Sequence, residues 1–470
     1  MFFNDLIFSL RFVSLIFGIL LVYLFYLIGR EVYSGEAGLF ASFFVATNYS
    51  FIVYSQEVGS IMMYLFFSAF IFFLYFKLEK KFSFFSASLL GVSIGILYLI
   101  RPEGLALLFL PVVLFIDRRK RFGLRNGLLG FILPIVFCLA VMAPYVYFLY
   151  QNTGEITFSK KANSNLMHGM IFNGEEKSRL DKETYINYEK IRYHYDEETN
   201  SMTIPDEFRN LNIRDSITRD ATPFLNRFLR GFESEIIVLL IDHGAVLLLL
   251  TIIATCCLIA RRSDLRKDIA VLSMASAIYL VIFPIFHVES RYLLEVMVFI
   301  ILIASFGYAM TSDRIYRIRG VEFPAKLFLK GIKLILIGLI SINFLVSVFI
   351  YFSSAKSNDY DYEYKIAGEY IKNNSEFGSN YIIMSRSFSL ISFYADAEHR
   401  GIGIPYTSVE NILKYARANK ANYIVVDERG LAIRDNYDDL KNMQNFSDDI
   451  ELVFSDNSVA DIRIFKVLDR

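Results

Sequence analysis

The sequence predicts a polytopic α-helical membrane protein of about ten transmembrane helices, with a C-terminal extracytoplasmic α/β domain. Three observations lead there. Apolar segments recur at 6–28, 38–54, 60–76, 84–100, 104–116, 127–149, 236–260, 268–287, 291–310 and 331–352. Most approach the ~20 residues that cross ~30 Å of hydrocarbon; 38–54 and 104–116 are short. Lys and Arg fall in alternate loops: Arg30; Lys77, Lys80 and Lys81; Arg118 to Arg121 and Arg125; Arg261, Arg262, Arg266 and Lys267; Arg314, Arg317, Arg319, Lys326 and Lys330. By the positive-inside rule those loops are cytoplasmic. The polar segments 150–234 and 353–470 then lie on the other side. This divides the chain into N-terminal helices over 1–149, a large outer loop over 150–234, C-terminal helices over 235–352, and the α/β domain over 353–470.

Composition agrees. Mean hydropathy is +0.42, and 46 Phe with no Trp leave the bulky apolar work to Phe, Leu and Ile. The net charge of zero hides basic inner loops and mixed outer ones. No basic stripe interleaved with aromatics marks a nucleic-acid partner. Cys138, Cys256 and Cys257 all fall in spans, so the outer segments carry no disulfide framework.

The charge rule also places Met1 outside, with no basic n-region or small-residue cleavage site over 1–28. The expectation is that one helix starting in the cytoplasm precedes this segment.

The outer loop is rich in charge and Tyr, and Pro205 and Pro223 interrupt helices there. In the last segment, 361–374 has helical periodicity and Ser408 opens a helix whose Val409, Ile412, Leu413 and Ala416 share a face. Asn380–Ser385, Asn422–Asp427, 450–455 and 461–467 read as strands. Alternating strands and helices give a layered α/β fold.

Ionisable groups gather at outer ends of spans, where they are costly unless they meet water, a partner or a substrate. Glu57 ends the second span, Arg101 and Glu103 fill a tight turn, and Lys160 and Lys161 open the large loop. His287, Glu289, Arg291 and Tyr292 form the turn between the eighth and ninth spans. Acids with several cations suit a reaction with a phosphate leaving group: cations bind the phosphate, and a carboxylate deprotonates a hydroxyl or holds a divalent metal. Each residue also has a plainer reading. Arg101 and Arg291 suit interfacial anchors, Glu57 a solvated turn acid, Lys160 and Lys161 a solvated pair, and His287 a capped interfacial histidine. Asp242 and His243 read as a helix cap.

The tracts RFVSLIFGILLVYLFYLIGREVYSGEAGLFASFFVATN, YSQEVGSIMMYLFF, GILYLIRPEGLALL and FHVESRYLLEVMVFI resemble the membrane core of GT-C glycosyltransferases. The resembling branch holds protein mannosyltransferases, aminoarabinose transferases and lipopolysaccharide galacturonosyltransferase-like proteins. The resemblance implies an inverting transferase of the plasma membrane. Its donor would be a polyprenyl-phosphate-linked sugar and its acceptor a protein or glycolipid outside the cytoplasm. In the family an acid in the first outer loop, after a helix preceding the segment matched by Arg11–Arg30, acts as base; that position has no counterpart here. Glu57 matches the family's second acidic position. The resemblance makes Glu57 and Glu289 the catalytic candidates. It makes Arg101, Glu103, Lys160, Lys161, Arg291 and Tyr292 the candidates for lipid phosphate and sugar, and His287 the candidate metal ligand. A transporter and a non-catalytic relative of transferases are the competing classes; a transporter places its ionisable groups near the midplane.

Overall fold

The computed structural model describes residues 6–154, 157–159, 165–166, 182–205, 221–242, 265–285, 290–310, 362–376, 380–396, 401–445 and 449–468, with single positions and two-residue stretches between 251 and 349. Two compact units form: Met1–Asn165 with Thr222–Tyr351, and Leu166–Ala221 with Phe352–Arg470.

The first unit is helical. Its helices are α1 Leu6–Val32, α2 Gly35–Thr47, α3 Tyr49–Tyr54, α4 Ile61–Lys80, α5 Phe84–Ile100, α6 Phe109–Phe122 and α7 Leu124–Thr153. After the excursion into the second unit come α9 Ala221–Asp242, α10 Leu265–Ile285 and α11 Ser290–Met310. Among the described residues, five helices are long and apolar enough to cross a membrane: α1, α4, α7, α10 and α11. Helices α2 and α5 are shorter apolar ones.

Two predicted spans are broken by local chemistry. The span over 38–54 divides at Asn48, whose side chain accepts from Ser50 N at 3.1 Å and so starts α3 while its extended backbone ends α2. The span over 104–116 opens instead as a 3₁₀ turn, Pro102–Leu108, before α6 takes over. Pro disfavours the helical conformation in the residue before it, and α5 ends at Arg101 in extended backbone. Most of the spans over 331–352 and 236–260 lies outside the described residues.

Helix α11 is the centre of the unit, with 94% of its apolar window buried. A helix apolar on all sides needs neighbours on all sides. Phe299 meets Phe72 at 5.0 Å and Tyr279 at 5.8 Å, and Tyr308 stacks on Phe40 at 4.1 Å. Helices α5 and α7 approach more closely than side chains usually allow. A Cβ on Gly91 would collide with the Pro134 backbone, so the small residue sets the spacing. At the end of α4 away from Tyr64, Lys267 Nζ lies 2.7 Å from Glu79 Oε1 and 2.7 Å from Asp117 Oδ2, tying α4, α6 and α10 together. Helix α9 turns Arg227, Gly231, Glu235 and Leu239 inward at intervals of four.

The second unit is a layered α/β structure. Helix α8, Lys182–Arg192, leads into the hairpin β1 Tyr195–Asp196 and β2 Ser201–Met202. The later segment supplies α12 Tyr362–Asn374, β5 Ile383–Ser385, α13 Phe388–Tyr394, β6 Gly401–Ile402, α14 Val409–Ala418, β7 Tyr423–Asp427, α15 Glu428–Leu431, α16 Tyr437–Lys441, β8 Ile450–Asp456 and β9 Ile462–Val467. A further two-stranded ribbon, β3 Arg317–Ile318 with β4 Val321–Glu322, belongs to the first unit. The five-stranded sheet has the order β6-β5-β7-β9-β8; β5 is parallel to both neighbours and β9 is antiparallel to both of its own. Period-two alternation splits β7 cleanly. Ile424 and Val426 pack with α14 on one face, while Tyr423 and Val425 pack with α12 and α13 on the other. Ser408 caps α14 by accepting from Asn411 N, a device that contributes about 1 kcal/mol.

Candidate active site

One end of the helical unit gathers charge. Arg101, at the point where Pro102 ends α5, projects across to α11 and donates from Nη1 to Glu295 Oε1 at 2.9 Å. The pair is inside the protein, with side chains 15% and 2% exposed. Above the same guanidinium lie the rings of Tyr64 at 5.5 Å and Tyr292 at 5.1 Å. Tyr64 in turn shares a hydroxyl–hydroxyl hydrogen bond of 2.8 Å with Tyr279. Helices α4, α5, α10 and α11 are thus joined by one polar chain, Tyr279–Tyr64–Arg101–Glu295.

The neighbouring carboxyl of Glu103 is less well satisfied. Among the described residues, Glu103 Oε2 is buried without a hydrogen-bond partner. Such an atom is costly and marks a place where a donor is wanted.

Arg291 opens α11 and is exposed. Its guanidinium sits 5.2 Å from the ring of Tyr292, so that ring meets two cations, Arg101 and Arg291. Phe283 stacks on the ring at 5.7 Å and fixes its plane. Glu57 lies in the turn between α3 and α4, close enough to Arg291 for the two charges to interact. The protein around Glu57 raises its carboxyl above the usual carboxylate range, and the Arg291 charge opposes that rise.

Five sequence-derived candidates therefore meet at one end of the bundle: Glu57, Arg101, Glu103, Arg291 and Tyr292. Lys160, Lys161, His287 and Glu289 lie outside the described residues, as do the side chain of Asp242 and all of His243. No group of three or more His, Cys, Asp or Glu suited to a metal occurs among the described residues. Glu295, Tyr64 and Tyr279 were not singled out by the sequence. Glu295 carries the one available signal, an acid within an apolar span; the tyrosines carry none, because Tyr is frequent throughout this chain.

The comparisons with known proteins follow the same lines. Residues 1–148 match the family model described as dolichyl-phosphate-mannose-protein mannosyltransferase. The fold is similar to that of ArnT from Cupriavidus metallidurans, solved bound to undecaprenyl phosphate and in the apo state. Each of those structures gives a TM-score of 0.53 at 10% identity, over 97% of this chain and 83% of that one. The oligosaccharyltransferase of Archaeoglobus fulgidus in complex with Zn and sulfate gives a TM-score of 0.48 at 12% identity, over 98% of this chain and 61% of the other. No curated protein sequence matches the chain.

Proposed function

We propose that this chain, which has the fold of the GT-C membrane glycosyltransferases, moves a monosaccharide from a polyprenyl-phosphate carrier to an acceptor on the extracytoplasmic side of the plasma membrane. The carrying observation is the cluster of Glu57, Arg291, Tyr292 and the buried Arg101–Glu295 pair at one end of the bundle. A fold neighbour solved bound to undecaprenyl phosphate supports the class of donor.

The geometry divides the labour. Arg101 is committed to Glu295, so its role is to fix Tyr292 and the first turn of α11. Arg291, exposed beside it, is the cation that meets the lipid phosphate, joined by Lys160 and Lys161. Glu57 is the base and Glu103 orients the sugar. Glu289 is a second candidate carboxylate, and His287 the candidate ligand if a divalent metal takes part. In the transfer, the acceptor hydroxyl oxygen attacks the anomeric carbon as Glu57 takes its proton. The carbon–oxygen bond to phosphate breaks, and the electron pair leaves on the polyprenyl phosphate, where Arg291 stabilises the charge. Attack opposite the leaving group inverts the anomeric centre. The acceptor is a protein or a glycolipid.

The test is transfer in proteoliposomes from radiolabelled polyprenyl-phosphate sugars to envelope acceptors, with undecaprenyl phosphate binding followed by native mass spectrometry. Binding and transfer in wild type, with binding weakened by Arg291→Ala and transfer lost in Glu57→Gln, is the expected result. Equal undecaprenyl phosphate binding by wild type and Arg291→Ala would remove the phosphate role.

A further inference from the structure

The second unit holds a feature that the transferase reading does not use. In its sheet the chain leaves β5 toward β6 and leaves β7 toward β8, so neighbouring strands β5 and β7 send their connections in opposite directions. Open α/β sheets bind ligands in the crevice outside the carboxyl ends of such strands. Here that crevice is filled by a charged group of the protein itself.

Arg386 follows the last residue of β5, and Arg434 follows α15 at the end of β7. Both guanidiniums converge on Glu189 of α8, which reaches in from far away in sequence. Arg386 Nε and Nη2 donate to Glu189 Oε1 at 3.2 and 3.1 Å. Arg434 Nε and Nη2 donate to Oε2 at 3.1 and 3.0 Å. Each carboxylate oxygen thus accepts from the Nε and Nη2 of one arginine, so four guanidinium N–H groups converge on one carboxylate, a donor set an oxyanion can accept.

One side of the cradle, Arg434, is held by groups other than its occupant. Arg434 is 0% exposed, and its Nη1 donates to the carbonyls of Ile404 and Pro405 at 3.1 and 3.2 Å. Asp427, buried at the end of β7, accepts from Gly430 N at 2.6 Å and from Tyr364 Oη at 3.0 Å. A Cβ at Gly430 would run into the Asp427 carboxylate and crowd Arg386 Cδ, so the absence of a side chain there lets both groups lie beside each other. Arg386 keeps 32% of its side chain exposed while Glu189 and Arg434 are closed off, so Arg386 is the side of the cradle nearest solvent.

We propose that this crevice is an oxyanion site for a phosphate or carboxylate group, and that Glu189 occupies it as a tethered ligand. An incoming anion displaces Glu189 and so loosens α8 from the sheet.

The test uses the full chain in detergent, titrated with inorganic phosphate and separately with acetate, against chloride at equal ionic strength. In Glu189→Ala the emptied cradle should bind the anion saturably and raise the melting temperature by several degrees. That response should vanish in Glu189→Ala/Arg386→Gln. A response to acetate alone assigns a carboxylate, and one to phosphate alone a phosphate. If Glu189→Ala does not fold, the isosteric Glu189→Gln takes its place. In wild type, saturating anion should speed amide exchange across Lys182–Arg192 several-fold. A folded Glu189 variant with no response beyond chloride, or wild-type exchange in α8 that no anion alters, overturns the proposal and leaves a structural ion pair.

Discussion

Glu295 and Arg101 are 194 residues apart in sequence and 2.9 Å apart in space. A carboxylate 2% exposed in the first turns of the most enclosed helix is tolerable because a guanidinium from the end of α5 reaches it. Removing one partner from a buried pair strands the other, at about 3–5 kcal/mol. Glu295→Ala should therefore lower the melting temperature in detergent sharply, and Arg101→Ala nearly as much. Glu295→Met with Arg101→Met, which strands no charge, should recover most of the loss. A double variant as unstable as the sum of the singles would mean the pair does not act as a unit.

As the proposed base, Glu57 should set a pH dependence. Its carboxyl lies above the ordinary carboxylate range because the protein covers it, and Arg291 pulls it back. A base must be ionised to work, so transfer should fall as pH drops through that raised value. Replacing Arg291 by Met removes the opposing pull, and the acid limb of the residual activity should move to higher pH. A limb that stays in place would show that another group titrates there.

Gly91 sets the spacing of α5 and α7 against the Pro134 backbone. Gly91→Leu should cost at least the roughly 1–3 kcal/mol of an overpacked core, because a backbone cannot rotate aside as a side chain does. Thermal unfolding in detergent reads this directly. Gly35→Ala, at a position with nothing near the added carbon, is the matched control.

Asp427 should make the α/β unit more stable toward acid. Burial is the largest influence on its carboxyl and holds it above the ordinary range, against hydrogen bonds from Tyr364 and Gly430 and the charge of Arg386. A carboxyl raised in the folded state contributes stability below its unfolded pKa and loses it as pH rises through the folded one. Pulse proteolysis of the full chain across this range should show that slope, and Asp427→Asn should flatten it.

What the sequence disclosed and what it withheld divide by range. Ser408 as a cap and the strand over 422–427, found as Tyr423–Asp427, rest on residues a few positions apart and were legible. The membrane character was legible too, because apolar length needs no partner. Asn48 and Pro102 were visible as residues, but hydropathy averages over a window and passes across a single break. The candidate site was half legible. Glu57, Arg101, Glu103, Arg291 and Tyr292 stood out as charge or polarity at span ends. Glu295, Tyr64 and Tyr279 acquire meaning only from contacts between helices distant in sequence, which no local pattern encodes.

Helix α11 has a consequence for how this protein is made. Synthesis runs along the chain, so α1, α2 and α4 enter the bilayer before the helix they pack around has been translated. Until then they surround a place that α11 will fill, and lipid or one another must stand in for it. Over the same interval Arg101 waits at the end of α5 for a carboxylate still inside the ribosome. A guanidinium without its counter-charge is thus the chemical mark of an unfinished bundle, and the arrival of Glu295 erases it.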